Sequence, residues 1–169
     1  MYSSSDDNTR QETVHLFFKK LPASLHNLNI LAELPGEFLK YDSQDTGHGQ
    51  CLENSINKIL ALKRGCNVML LYNINDNLRN GLQGKFVGGD PKNKECLIVN
   101  FPKVGNVSIS RRTWYKYDEN GRVKASRTQF PIIPSYAITD HKAQSLTLSR
   151  VVMHCSQEFV AGQTYVALS

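Results

Sequence analysis

The sequence predicts an α/β fold interrupted by a run of short strands, and three observations predict it. A strand-like apolar run at 13–18 leads at once into a helical period over 21–34, a strand–helix unit of the kind that builds α/β sheets. From residue 65 the apolar period changes to two or to short runs, punctuated by turn residues. Beyond residue 131 a polar segment, 135–144, leads towards the β-branched run Val151-Val152-Met153, the order of elements that presents polar groups at the rim of an α/β sheet.

Composition bounds the function classes. The chain has 169 residues, 40% apolar and 21% charged, which predicts a globular and not a disordered chain. No run of about 18 apolar residues exists, so no membrane span is expected. Residues 1–10 are polar, lack the basic and apolar regions of a signal peptide, and are expected to form a mobile end. Cys51, Cys66, Cys96 and Cys155 are scattered without a C-x-x-C pair, which suits reduced thiols in an intracellular setting. His48 and Cys51 have no second pair at ligand spacing, so no metal site is expected. A formal charge of +5 and a pI near 9.0 suit a polyanionic partner.

The elements follow in order. A strand spans 13–18. In the helix over 21–34, Leu21, Leu25, Leu28, Leu31 and Ala32 recur at helical spacing, Pro22 falls in the first turn where proline is tolerated, and Pro35-Gly36 ends it. Residues 37–45 read as extended, and Gly47-His48-Gly49-Gln50 as a turn. A second helix is expected over 52–62, with Leu52, Ile56, Ile59 and Leu60 on one side and Lys63-Arg64-Gly65 closing it. Strands are expected at 67–72, 83–88, 95–100, 107–112, 114–117 and 122–130. Asn80-Gly81, Asp90-Pro91-Lys92-Asn93 and Asp118-Glu119-Asn120-Gly121 supply turns among them, the pattern of a small β-barrel. Pro131 and Pro134 disfavour a helix across Ile132-Ile133, so a helix is expected to start near Ser135 as its N-cap. That helix would carry Thr139, His141, Lys142 and Gln144, with Ile138, His141 and Ser145 on one face and Lys142 close to Thr139 on the next.

Two groups of residues suit nucleic acid. Thr139, His141 and Lys142 offer a hydroxyl and an ammonium for phosphate oxygens and an imidazole for a base. Arg111 and Arg112 interleave with Trp114, Tyr115 and Tyr117, a pattern that fits either a strand-contact surface or the core side of a barrel strand. The chain contains no G-x-x-x-x-G-K-[ST] loop and no apolar strand ending in Asp-Glu, so a complete nucleotide site is not expected within it.

The residues also carry a resemblance. Ala137-Ile138-Thr139-Asp140-His141-Lys142-Ala143-Gln144-Ser145 resembles the Ala-Ile-Thr-x-His-Lys-Ser-Gln-Gly motif of Pif/RecD-like superfamily 1 DNA helicases. Gly162-Gln163-Thr164-Tyr165-Val166-Ala167-Leu168-Ser169 resembles that family's last motif, Gly-Gln-x-Tyr-Val-Ala-Leu-Ser-Arg, and stops one residue short of its arginine. The segments 65–73 and 80–84 are similar to the family's Gly-x-x-Val-Met-Leu-x-x-Asn and Asn-Gly-x-x-Gly, Leu34-Pro35-Gly36-Glu37 to its Leu-Pro-Gly-Glu turn, and Asn27 falls at a helix asparagine of the family. Lys19-Lys20 stands where the family has Thr-Asn.

The resemblance implies a partial second RecA-like helicase domain with an inserted SH3-like β-barrel. Residues 1–64 would form its first part, 65–130 the insertion, and 131–169 the return. It implies the C-terminal fragment of an ATP-dependent 5′-to-3′ DNA helicase that translocates on single-stranded DNA and unwinds duplex in repair, recombination or telomere maintenance. Its partners would be single-stranded DNA, DNA junctions and the missing first RecA-like domain, and its setting the nucleus or another DNA-containing compartment such as the mitochondrion. ATP and Mg2+ would serve the intact parent, with none bound by the fragment alone, which lacks Walker A, Walker B and the arginine finger. Thr139, His141 and Lys142 would lie at the DNA strand, Gln144 and Ser145 would face the nucleotide, and Gln163, Tyr165 and Ser169 belong to the last motif. Arg111, Arg112 and Trp114 are candidate barrel contacts. Ala143 and Ser145 replace the motif's serine and glycine, and serine takes positive φ less readily than glycine, which bears on ATP coupling. The alternative is a non-enzymatic single-strand-binding or interaction module derived from a transposon-type helicase.

Overall fold

The computed structural model describes residues 13–53, 55–144 and 151–154. In chain order the elements are β1 (Val14–Phe17), α1 (Lys20–Glu33), β2 (Leu39–Asp42), β3 (Gln44–Gly47), a 3-10 turn (Gly49–Leu52), β4 (Ile59–Leu62), β5 (Asn67–Leu70) and β6 (Gln83–Gly89). There follow β7 (Cys96–Phe101), β8 (Gly105–Ser110), β9 (Arg112–Tyr117), β10 (Val123–Gln129), β11 (Ile132–Pro134), β12 (Ala137–Thr139), α2 (Asp140–Ala143) and β13 (Val151–His154). No helix among the described residues is long and apolar enough to cross a membrane.

β1 is the centre of a parallel sheet ordered β12-β1-β13, with Phe17 level with both Thr139 and His154. The middle of the chain forms a five-stranded sheet, β11-β5-β6-β7-β8, and a three-stranded one, β3-β10-β9, while β2 pairs with β4. Among the described residues these are open sheets, without the closed ring of strands that the turn pattern led one to expect.

Two cores meet on β5. Val68 and Leu70 join Leu62, Phe86, Val99, Phe101, Phe130 and Ile132 in the larger core. Met69, pointing the other way, joins Val14, Leu16, Ile133 and Ile138 beneath the parallel sheet. β5 is therefore buried along its length, and each aliphatic side chain there contributes about 1.5–3 kcal/mol. Polar bonds reinforce the junction. The Tyr136 hydroxyl accepts from Asn67 N–H at 2.9 Å, and Ser135 N–H donates to Asn67 C=O at 3.1 Å.

Three expectations are corrected. Residues 52–62 are not a helix: the 3-10 turn ends at Leu52, and Ile59–Leu62 is a strand paired with β2. Its buried residues, Leu60 and Leu62, alternate at the period of a strand, a pattern that short apolar runs leave open to either reading. Lys63, expected to close that helix, is buried and donates from Nζ to Leu34 C=O at 2.8 Å, capping the end of α1 instead. Nor does a helix begin at Ser135. Ala137–Thr139 is extended because β1 takes it as a parallel partner, and the helix starts only at Asp140. In α1, Leu31 is buried as expected, but Leu21, Leu25 and Leu28 are exposed.

Candidate nucleic-acid interface

The parallel sheet brings three chain segments together at the carboxyl ends of its strands, the edge at which open α/β sheets bind ligands. The chain leaves β1 at Phe17 and enters α1 at Lys20, and it leaves β12 at Thr139 and enters α2 at Asp140. Asn27, one side of α1, fixes β12 in place. Its Nδ2 donates to Ala137 C=O at 2.8 Å, and its Oδ1 accepts from Ala137 N–H at 2.9 Å. A carboxamide thus satisfies both main-chain groups of one strand residue, so the motif that follows has a defined position.

Within that motif, Thr139 is half-buried, extended, and makes no capping hydrogen bond with its side chain. Asp140 is buried, and its Oδ1 has no hydrogen-bond partner among the described residues. Lys142 is half-buried and points its Nζ to within 3.4 Å of Ser55 C=O. No carboxylate among the described residues neutralises it. Burial, and secondarily the charge of Lys20, pushes its ammonium below the ordinary lysine value. Gln144 is exposed just after α2. His141 lies in α2, but its side chain lies outside the described residues, as do Ser145, Gln163, Tyr165 and Ser169.

Lys20 is the neighbour that the sequence reading did not single out. It pairs with Glu53 at 3.8 Å and also donates to Glu53 C=O. Glu53 in turn holds Arg127 at 2.8 Å. The only signal for Lys20 was the Lys19-Lys20 pair standing where the family has Thr-Asn. From Lys20 a groove of about 350 Å³ runs between α1 and 57–61. Ser24, Asn27, Asn57 and Lys58 supply polar groups to it, and Leu28, Leu31 and Leu60 apolar surface. Beside the sheet's edge, His15 Nδ1 and His154 Nε2 lie 2.8 Å apart, and Phe17 stacks on His154 with centroids 4.4 Å apart. No group of three His, Cys, Asp or Glu among the described residues is placed to hold a metal ion. Cys51 Sγ donates to His48 C=O, a turn contact, and burial pushes the Cys66 thiol up to about 11.

The basic residues flanking β9 are used within the protein. Arg111 donates to Asp42 C=O at 2.9 Å and to Gln129 Oε1 at 3.2 Å, and lies over the Phe130 ring. Arg112 lies over Tyr72 at 4.5 Å. Trp114 is half-buried opposite Arg127. Tyr115 and Tyr117, in contrast, are exposed.

No protein-family model matches the chain. Among curated proteins it is 33% identical over 151 residues to the ATP-dependent DNA helicase PIF1 of Danio rerio, covering 86% of this chain and 24% of that protein. It is 32% identical over 176 residues to Pif1 of Bdellovibrio bacteriovorus, covering 99% of this chain and 38% of that protein. Among solved structures it superposes on the Pif1 helicase of Candida albicans with a TM-score of 0.76 and 30% identity, over 92% of this chain and 42% of that one. It superposes on the Bacteroides Pif1 helicase in complex with ADP-AlF3 and ssDNA with a TM-score of 0.66 and 30% identity, over 94% of this chain and 38% of that one. The chain thus spans about a quarter to two fifths of the length of these relatives. Sequence and fold agree over nearly all of the chain: it is homologous to a part of the Pif1 ATP-dependent DNA helicases.

Proposed function

We propose that this chain is the C-terminal motor portion of a 5′-to-3′ DNA helicase and supplies one side of its single-stranded DNA groove. The sheet β12-β1-β13 with α1 and α2 is read as part of the second RecA-like domain. Residues 65–130 are read as its SH3-like insertion, joined through β3 by the segment ahead of it. The observation that carries the reading is Lys142, a half-buried cation at the carboxyl edge of a parallel sheet, with a second cation, Lys20, acting on it and no carboxylate partner among the described residues. Lys20 is itself paired with Glu53, so Lys142 is the cation at this edge left to favour an anion, and a phosphodiester supplies it. Thr139 adds a hydroxyl donor beside it. His141 is assigned to the same strand, and Gln144 and Ser145 to the nucleotide side.

ATP and Mg2+ act in the intact parent, where the other RecA-like domain supplies the phosphate loop, and the chain alone turns over no ATP. The parent's partners are single-stranded DNA and DNA junctions in a DNA-containing compartment, with repair, recombination or telomere maintenance as its setting. Serine at 145 in place of the motif's glycine favours a second reading, a single-strand-binding module uncoupled from ATP. Fluorescence anisotropy with labelled oligothymidine tests the common core of both. Affinity should fall with salt at a log–log slope of roughly 0.7 per phosphate contact, and Lys142→Ala should weaken binding and lower that slope. A salt-independent response, or a Lys142→Ala variant that binds like the parent chain, would overturn the site. DNA-stimulated ATP turnover separates the readings once the other half of the motor is added: it is present for a motor portion and absent for an uncoupled module.

A further inference from the structure

The outward face of the sheet β3-β10-β9 carries a set of side chains that the site above does not use. Along β9, Thr113, Tyr115 and Tyr117 share one face and Arg112, Trp114 and Lys116 the other. The register sets Tyr115 level with Ser126 and Thr113 level with Thr128 on β10, and Ser126 level with Thr46 on β3. Hydroxyl pairs cross the strands, Thr113 to Thr128 at 2.7 Å and Thr46 to Ser126 at 2.6 Å. Above them stand Tyr115 and Tyr117, 52% and 56% exposed, with ring centroids 6.2 Å apart and planes 30° from parallel. The opposite face is packed: Ala125, Arg127 and Gln129 are each 1% exposed. Two large, exposed aromatic rings are therefore held side by side over a row of hydroxyl side chains.

The surrounding charge says what suits that face. Residues 111–129 hold six basic side chains, Arg111, Arg112, Lys116, Arg122, Lys124 and Arg127, against two acidic ones, Asp118 and Glu119, and so account for most of the chain's formal +5. Of the six, Arg111 and Arg127 are engaged internally and Arg112 lies over Tyr72, which leaves the exposed Arg122 and Lys124 at the tip of the hairpin, with Lys116 exposed on the other face of β9. Exposed aromatic rings within a basic surround match the two halves of a nucleotide, since every base has a face to stack and every linkage a charge to neutralise. β9 is also an edge strand, so a polymer can run along it without displacing a neighbour.

We infer that this face is a second contact for single-stranded DNA, in which Tyr115 and Tyr117 stack on bases while Arg122 and Lys124 at the hairpin tip approach the backbone. The inference rests on the proposed function, and it adds a base-stacking surface to a groove that grips phosphate.

The test uses the full 169-residue chain with two probes of equal length, labelled oligothymidine and the same strand with abasic sites in place of its bases. Replacing both tyrosines, Tyr115→Ala with Tyr117→Ala, should lower oligothymidine affinity by at least about fivefold per ring, leave the salt slope unchanged, and leave abasic-strand binding unchanged. The Tyr115→Phe, Tyr117→Phe pair should retain parent affinity, because stacking needs the ring and not the hydroxyl. On the parent chain, oligothymidine should quench tyrosine fluorescence and the abasic strand should not, a readout that needs no variant. If the double alanine variant binds both probes like the parent while Lys142→Ala weakens both, this inference fails and the proposed groove stands. If the parent binds neither probe, the proposed function fails as well. Tighter binding of oligouridine than of oligothymidine would overturn the assignment to DNA.

Discussion

Arg127 and Asp45 meet as a fork. Nε lies 2.9 Å from Oδ1 and Nη2 lies 2.8 Å from Oδ2, with the guanidinium 1% exposed. The remaining nitrogen, Nη1, reaches Ile56 C=O at 2.9 Å and Glu53 Oε1 at 2.8 Å. One side chain on β10 thereby ties down β3 and the irregular segment that leads to β4. Arg127→Met would leave Asp45 and Glu53 facing each other without their cation. Urea unfolding should show a loss of about 1–3 kcal/mol, below the range for a fully buried pair because the Asp45 and Glu53 carboxylates left behind are partly exposed. The same pair predicts an acid response. Arg127 hydrogen-bonds the Asp45 carboxylate and holds its pKa below 3.8. A depressed carboxylate stabilises the fold above its unfolded value and ceases to do so as pH falls through the folded one. The part of acid unfolding that lies below pH 3.8 should therefore shrink in Arg127→Met.

Lys142 predicts a pH dependence of the same sign at the alkaline end, arising from a penalty and not from a gain. Burial first, and the charge of Lys20 second, lower its pKa from 10.5. The folded chain thus bears a penalty for the charged form throughout neutral pH. That penalty is relieved as pH rises through the folded value towards 10.5. Lys142→Met should raise the melting temperature at pH 7 while weakening oligothymidine binding. A residue that only served the fold would lower both. Binding by the parent chain should also begin to fall at a pH below that expected for an ordinary surface lysine.

Asn27 is expected to act on the site through β12. Asn27→Ala removes the donor and the acceptor that satisfy Ala137, at about 1–3 kcal/mol for each main-chain group left without a partner. Chemical denaturation should report a loss of about 2 kcal/mol or more. Oligothymidine binding measured well below the transition should weaken too, because Ala137 lies two residues before Thr139.

Gly47 ends β3 with φ at +65°, and a Cβ built there would come within 2.3 Å of Lys124 C=O. Gly47→Ala combines left-handed strain with a main-chain clash, so a loss of about 2–4 kcal/mol is expected in thermal or urea unfolding. Arg127→Met combined with Gly47→Ala should be less destabilising than the sum of the two, since both release β3 from β10.

How much was legible follows from how local each signal was. β1, α1 and the strands from β5 to β10 were readable because their apolar periods and the turns between them lie within a few residues. Pro131 and Pro134 argued against a helix across Ile132-Ile133, and the segment is a strand. The motif around Thr139, His141 and Lys142 was readable as a linear pattern, and it pointed to the family that the comparisons then gave. What the sequence could not express was pairing. Residues 137–139 are a strand and 59–62 another because β1 and β2 stood ready to bond them, and a strand's hydrogen-bond partners are remote in sequence. Nor does a lone arginine in an alternating strand announce that it will be buried; Arg127 is, because folding brings Asp45 and Glu53 to it. Lys20 likewise gained its place beside Lys142 only when β1 and β12 lined up in parallel. On β9 the sequence offered basic and aromatic residues without saying which faced out, and the register alone turned Trp114 towards Arg127 and left Tyr115 and Tyr117 in solvent.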